Sequence, residues 1–178
     1  SNFQLKHVDF LPNLETVEGY LEVVDHPYLS DITGLDSLAF VGDGLTLMDN
    51  PSLTDIDCLS NLTTVGHLKI DGNTALSSLI GMSGVTSVGG DLTIRNNDVL
   101  TNIDGLTLLK NIEDDLSIHD NMTLANINGL GGLVTVGDDI EIYYNDCLNQ
   151  GEAELVVSSI EAGGSTTVEE NGAIHPCE

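Results

Sequence analysis

The fold is decided by the stretch Val85–Leu108, which reads VTSVGGDLTIRNNDVLTNIDGLTL. Variants of this stretch follow one another along the chain, with starts that lie 24, 24, 23, 24 and 24 residues apart. The copies start at Leu14, Leu38, Leu62, Val85, Leu109 and Leu133. Self-similarity with a period of about 20–50 residues is typical of solenoids, in which each coil buries its apolar face against its neighbours. The repeat therefore predicts a solenoid.

Each copy contains a short segment in which apolar residues alternate with others, as in Leu92-Thr93-Ile94. This alternation predicts a strand with one buried face, so we expect a mainly β fold. An asparagine follows the strand at one corner of most copies. Stacked side-chain amides at such a corner can bond backbone groups that would otherwise be buried without partners. The predicted ladder consists of Asn50, Asn73, Asn97, Asn121, Asn145 and Asn171.

We predict one solenoid domain over residues 1–178, with about six coils of 23–24 residues. Residues 5–13 form a partial first coil, residues 14–146 the repeats and residues 147–178 a C-terminal cap. In the cap we expect a helix over Gln150–Ala162 that ends at Gly163, and a last strand from Thr166 to Asn171. Since the chain opens in the middle of a coil, we expect it to be a fragment of a longer protein, whose first coil could pair edge to edge with another copy.

The charge of the chain excludes several classes of partner. Only four Lys or Arg oppose 29 Asp or Glu, which gives a net charge of −25. This balance argues against nucleic acids and anionic membrane surfaces as partners. The sequence shows no signal peptide, transmembrane run or lipidation motif, so we expect no direct insertion into a membrane.

The repeat resembles that of a known family. Val65, Leu68, Ile70 and Asn73 follow the leucine-rich-repeat spacing, and the second half of each copy ends in Gly-Leu or a close variant rather than in a helix-forming segment. This combination is similar to the receptor L domain family, which includes ligand-binding lobes of growth-factor and insulin-type receptors and many bacterial surface or secreted proteins. The resemblance implies a right-handed β-helix-like solenoid, an extracellular or cell-surface location and non-enzymatic recognition or adhesion. It carries no catalytic motif to transfer.

The three cysteines point only in part to an oxidising environment. Cys147 and Cys177 bracket the cap and could form a disulfide that closes a loop of about 30 residues, worth roughly 3–4 kcal/mol. Cys58 stands where other copies have glycine, and we interpret it as a small buried filler.

The outward positions of the strands form two columns on one face of the predicted sheet. We expect this face to bind a protein or glycan. Its candidate contacts are Val24, Met48, Lys69, Asp71, Arg95, His119, Glu141 and Tyr143. The alternative is an ordinary solvated face with cross-strand charge pairs, as in a structural spacer without a ligand.

Acidic residues stack in the turn that enters each strand. Asp91, Asp115 and Asp139 share one column, and carboxylates held at this spacing repel one another unless salt screens them or a hard cation such as Ca²⁺ bridges them. The sequence has no twelve-residue calcium loop, and aspartate also caps turns through the backbone. We expect no cofactor, with calcium as the open alternative.

The sequence disfavours two further functions. Asp71, Arg95 and His119 fall on successive coils, as a site in a polysaccharide-acting β-helix enzyme would require, but coils of 23–24 residues leave no loops to build a cleft. An ice- or crystal-binding surface would need a regular threonine column, whereas the closest column is only partly threonine.

Overall fold

The strands of this protein are short and pair in parallel. The computed structural model describes residues 4–172 and residue 177. Its strands and its one α-helix in that part of the chain are β1 (Thr16–Val17), β2 (Tyr20–Val24), β3 (Phe40–Met48), β4 (Thr64–Asp71), β5 (Ser87–Val88), β6 (Leu92–Arg95), β7 (Asn111–Ile112), β8 (Leu116–His119), β9 (Thr135–Val136), β10 (Ile140–Tyr143), α1 (Gln150–Val157), β11 (Glu161–Ala162) and β12 (Thr166–Glu169). Short 3₁₀ turns span Thr33–Leu35, Asp57–Asn61, Ile80–Met82, Asp104–Leu106 and Asn128–Gly132.

Twelve strands of the described residues form one parallel sheet. The sheet runs in the order β11-β9-β7-β5-β4-β6-β8-β10-β12, and β3 joins β4 to β1 and β2. Two-residue strands pair with two-residue strands and four-residue strands with four-residue strands, while the longer β3 and β4 take part in both series. The prediction of a mainly β, solenoid-like fold is confirmed at this level.

The register places like residues beside like residues. Leu92 pairs with Leu116 and Ile94 with Ile118, each 24 positions further on. Between β3 and β4, Val41 pairs with Val65, but the register then shifts so that Gly44 pairs with His67. The copy with the shorter spacing of 23 residues therefore lacks its one residue before the alternating segment begins. The same side chains of that segment still face the core.

The core is a set of aliphatic columns that run through the stacked coils. Side chains at equivalent positions, such as Leu45, Leu68 and Leu92, are at most 1% exposed. At about 25 cal/mol per Å² of apolar surface, burial of this kind is the main stabilising contribution. A single coil buries its own apolar side chains only in part, so each coil depends on its neighbours to complete their burial.

One corner of each coil has a left-handed backbone. The residue before each ladder position has a positive φ, and at Gly72 the value is +69°. The other residues at this corner are Asp25, Asp49, Asn96, Asp120, Tyr144 and Glu170, with φ between 53° and 59°. Aspartate and asparagine tolerate this conformation, whereas tyrosine and glutamate rarely adopt it.

The asparagine side chains after this corner are buried and form a hydrogen-bonded column. Asn97 Nδ2 donates to the carbonyl oxygen of Ile70 at 3.0 Å and to Asn121 Oδ1 at 3.2 Å, and Asn97 Oδ1 accepts the backbone N–H of Asn73 at 3.2 Å. The amide side chains of Asn50, Asn73, Asn121, Asn145 and Asn171 make similar bonds. No buried side-chain nitrogen or oxygen of the described residues lacks a partner.

The cap differs from the sequence-based expectation. Helix α1 ends at Val157 rather than at Ala162, so the predicted length was wrong. The Ser158 and Ser159 hydroxyls donate to the carbonyl oxygens of Leu155 and Val156, which closes the last turn. Glu161 and Ala162 then form β11, which pairs with the edge strand β9 and so extends the series of two-residue strands. Strand β12 occupies the predicted place of the last strand.

The cysteines occupy two different environments. Cys147 and Cys177 form a disulfide, with their Cα atoms 5.4 Å apart. Cys58 is only partly buried, and its thiol donates to the carbonyl oxygen of Ile32 at 3.1 Å. It takes the place of corner glycines such as Gly105, where a Cβ would lie 1.7 Å from the Leu79 carbonyl oxygen. Burial raises the pKa of the Cys58 thiol to about 11.

His7 and Val8 continue the stack before the first strand. His7 forms a parallel bridge with Asp31, as Asp31 does with Asp55, and Val8 is buried in the core.

Within the part of the chain that the structure describes, none of the helices has the length and apolar character required to cross a membrane.

Candidate recognition face and acidic turn column

The parallel register aligns the outward side chains of the strands in two columns. The first column contains Glu22, Thr46, Lys69, Thr93, Ser117, Glu141 and Thr167. The second contains Val24, Met48, Asp71, Arg95, His119, Tyr143 and Glu169. We call these two columns the sheet face. The candidate contacts therefore lie on one surface, since parallel strands are only about 4.8 Å apart.

The sheet face changes in character along its length. Val24 and Met48 are partly exposed and form an apolar area near the first coils. Lys69 and Arg95 lie in the middle, and aromatic and acidic residues lie at the far end. A ligand would thus find different chemistry in each third of the face.

Asp71 is not an exposed contact, which corrects the sequence-based expectation. Its side chain is only 7% exposed and lies 2.8 Å from Arg95 Nε and 3.3 Å from Lys69 Nζ. Asn96 Nδ2 donates to its other oxygen at 2.9 Å. Burial alone would raise the pKa of the Asp71 carboxyl, but the hydrogen bonds from Asn96 and Arg95 and the nearby positive charges hold that pKa below its ordinary value. Asp71 therefore orients Arg95 and Lys69 and offers little to a ligand.

An aromatic stack occupies the next positions of the second column. The rings of His119 and Tyr143 lie nearly parallel, with centroids 4.7 Å apart and an interplanar angle of 8°. The ring of Tyr144 meets Tyr143 edge to face at 5.3 Å. His119 Nδ1 lies 2.7 Å from Asp120 Oδ2, which fixes the orientation of the imidazole. Such stacked rings present rigid, partly apolar surface, a form that binding sites commonly use.

A cleft of about 380 Å³ opens beside this stack. Its lining consists of Glu141, Tyr143, Tyr144, Thr167, Glu169 and Glu170. Burial and then the charges of Glu141 and Asp120 raise the pKa of the Tyr143 phenol. A hydrogen bond with the Glu170 carboxylate raises the pKa of the Tyr144 phenol. Three glutamates and neither Lys nor Arg are among the lining residues, so their charge makes the cleft negative.

Sequence reasoning identified two of these lining residues and missed four. Thr167 and Glu169 continue the two columns onto β12, which a register extended by one coil would have shown. Tyr144 and Glu170 lie at the left-handed corner, just after the strands end. The alternation of inward and outward side chains along a strand therefore does not predict where they point. The signal for Tyr144 was its place in a column otherwise occupied mainly by Asp, Asn and Gly.

The acidic turn column is hydrogen-bonded to the backbone. Asp91 Oδ1 accepts the N–H of Asp115 at 3.3 Å, and Asp115 Oδ1 accepts the N–H of Asp139 at 2.9 Å. Asp139 Oδ1 in turn accepts the N–H of Ser165 at 2.6 Å. Backbone and hydroxyl bonds from Ser165 lower the pKa of the Asp139 carboxyl. These carboxylates each bond the following coil, which gives the column a structural role.

The grouping that could hold a metal ion differs from the predicted column. Among the described residues, His67, Asp91 and Asp114 offer ligand atoms within 4.8 Å of one another, whereas Asp115 and Asp139 are not in this group. His67 Nδ1 already accepts the N–H of Asp91 at 3.0 Å. An imidazole with two carboxylates suits a transition metal better than calcium, which prefers oxygen ligands alone.

Comparisons with protein-family models, with curated proteins and with solved structures gave no match for this chain.

Proposed function

We propose that this chain is a non-catalytic recognition or adhesion module that binds a protein or glycan through its sheet face. The observation that carries the proposal is the stack of His119 on Tyr143, with Tyr144 beside it at the cleft. Fixed aromatic rings lose little conformational entropy on binding, and clustered aromatic residues dominate the energy of many interfaces. The flat remainder of the sheet face would provide complementary contacts.

The proposal includes a finer description of the fold and its location. We infer a right-handed solenoid of about six coils of 23–24 residues, of the leucine-rich receptor L domain type. The strand partners spaced 24 residues apart and the inward leucines support this description. We infer an extracellular or cell-surface location, which the Cys147–Cys177 disulfide supports because disulfides persist mainly in oxidising compartments.

The geometry of the polar residues supports binding rather than catalysis. An enzyme that used Asp71 with Arg95 and His119 would need the Asp71 carboxylate to reach a substrate. That carboxylate is buried under the side chains that pair with it. The main alternative function is that of a spacer without a ligand, because the packing of the coils would be the same in a purely structural protein.

Two substitutions separate recognition from the spacer alternative. Arrays of glycans and peptides are probed with the unaltered chain, with Tyr143→Ala and with Arg95→Glu. Tyr28→Ala and Lys110→Glu are the matched controls, because they change an exposed tyrosine and an exposed lysine away from the sheet face. If the chain is a recognition module, some ligands on the arrays should bind the unaltered chain and the two controls but not the two sheet-face variants. Circular dichroism of the variants should show an intact fold. A spacer predicts no ligand that depends on Tyr143 or Arg95.

Calcium at Asp91, Asp115 and Asp139 is a second, separately testable proposal. It is favoured by the vertical alignment of these acids in a chain of net charge −25. Thermal unfolding is measured in EDTA, in millimolar Ca²⁺ and in Na⁺ at matched ionic strength. A rise of several degrees with Ca²⁺ alone would support the site, whereas equal shifts would show screening only.

A further inference from the structure

The cleft at the far end of the sheet face combines aromatic rings with carboxylates, and no Lys or Arg is among its described lining residues. Three of its six lining residues are glutamates, namely Glu141, Glu169 and Glu170. The chain has no Lys or Arg after Lys110, so no such side chain of these later coils can neutralise them. The nearest cation of the second column is Arg95, whose Nε is already paired with Asp71 at 2.8 Å.

The side of the Tyr143 ring that faces away from His119 lies toward β12 and its acids. His119 covers one side of this ring, because β8 lies on one side of β10. Strand β12 lies on the other side, where Glu169 is the direct partner of Tyr143. A cation bound there would meet the face of an aromatic ring and a carboxylate together. The ring quadrupole and the carboxylate both attract positive charge within about 6 Å.

The size of the cleft limits what can enter it. At about 380 Å³ it lies near the lower end of ligand pockets, which are roughly 300–1,000 Å³. It therefore has room for a long side chain, such as lysine or arginine, from a larger partner. Tyr144 and Glu170 both line the cleft, and the Tyr144 phenol is hydrogen-bonded to the Glu170 carboxylate.

We propose that this cleft receives a lysine or arginine side chain from a basic segment of a partner protein. This inference rests on the proposed recognition function and names the class of its ligand. The charge of the cleft complements that of the segment, and the rings distinguish the cleft from the other acidic surfaces of the chain. Electrostatic attraction over the whole chain would speed association without choosing the site.

The test uses an oligolysine peptide with one tryptophan, and the same peptide with acetylated lysines. The chain itself has no tryptophan, so the fluorescence reports the peptide alone. We expect the charged peptide to bind and the acetylated peptide to bind at least tenfold more weakly. Tyr143→Ala, which leaves the net charge unchanged, should weaken binding about three- to thirtyfold, as expected for a lost cation–π contact. Tyr28→Ala should have no effect.

A matched pair of double variants separates the cleft from the general acidity of the chain. Glu169→Gln with Glu170→Gln changes the cleft, and Glu15→Gln with Glu18→Gln changes exposed acids near the first strands by the same charge. The proposal requires a clearly larger loss for the first pair, and equal losses would overturn it. If the oligolysine peptide ignores Tyr143 but a glycan or neutral peptide depends on it, this inference fails and the recognition function stands. If no ligand depends on Tyr143, both fail.

Discussion

The imidazole of His67 takes the place of a carboxylate in the acidic turn column, because its Nδ1 accepts the backbone N–H of Asp91 at 3.0 Å. Asp91 Oδ1 does the same for Asp115. His67 belongs to the copy that is one residue shorter and stands directly before Leu68, where the next copy has Asp91 before Leu92. The His67 ring thus makes the hydrogen bond that an aspartate makes at this position in the following coils.

The first prediction concerns the space that this ring needs. A Cβ at Gly90 would lie 2.3 Å from the His67 ring, and the three nearest atoms all belong to that ring. We expect Gly90→Ala to lower the free energy of unfolding by about 1–2 kcal/mol, because the ring must leave its position. In a His67→Ala background the same substitution should cost clearly less. Urea unfolding of the four proteins measures the coupling, and additive costs would contradict the packing described.

A second prediction tests the asparagine ladder. Asn97→Ala would leave the backbone N–H of Asn73 and the carbonyl oxygen of Ile70 without their side-chain partner inside the core. We expect a loss of about 2–4 kcal/mol in the free energy of unfolding. The control is Thr74→Ala, an exposed turn position next to the ladder, with an expected change within about 0.5 kcal/mol. Similar losses for both variants would mean that the ladder contributes no specific stability.

A third prediction concerns Tyr144, which holds a φ of 53° at the left-handed corner. Asn96 has nearly the same conformation at the equivalent corner. We expect Tyr144→Asn to stabilise the fold by about 1 kcal/mol, because asparagine tolerates this backbone better than tyrosine. The variant should also bind the oligolysine peptide more weakly.

Thermal unfolding and peptide titration of Tyr144→Asn measure the two effects. Asp25→Asn, at the same corner of an early coil, is the control and should change neither quantity. A Tyr144→Asn protein that is less stable than the unaltered chain would show that the Tyr144 contacts outweigh the backbone strain.

The fourth prediction is a pH dependence that arises from Asp71. Its folded pKa lies below the ordinary aspartate value of about 3.9. Its contribution to stability is therefore complete above that value, and is lost as the pH falls through the folded pKa. We expect Asp71→Asn to cost about 1–3 kcal/mol at pH 7, and this difference should shrink as the pH falls below about 4. Thr46→Ala, which changes no ionisable group, should show a constant difference in unfolding experiments from pH 7 to about 2.5. A difference for Asp71→Asn that stays constant to low pH would contradict the ion pairs.

Much of the fold could be predicted from the sequence because each copy of the repeat has nearly the same pattern, so that one coil predicts the structure of the next. A single inward pattern, repeated with Leu92 and Ile94 or their equivalents, fixes strand, register and core together. The helix end was less predictable. Residues Glu161 and Ala162 follow a helical segment, but their pairing with Thr135 and Val136 depends on an unpaired edge that only the tertiary structure contains.

The candidate site was predictable only in part, for a similar reason. Alternation placed Arg95, His119 and Tyr143 on one face, and the structure shows them in one column. It did not show that Asp71 would be covered by its ion pairs, because the reach of long side chains is not set by strand periodicity. It also did not show Tyr144, whose position depends on the left-handed corner.

Recognition at the Tyr143–Tyr144 cleft is best tested by backbone amide NMR spectra recorded during a titration with the oligolysine peptide. We predict saturating shift changes for residues 119–120, 141–144 and 166–170, with little change elsewhere. Changes spread evenly over the acidic turn column from Asp91 to Asp139, or centred on Val24 and Met48, would contradict it.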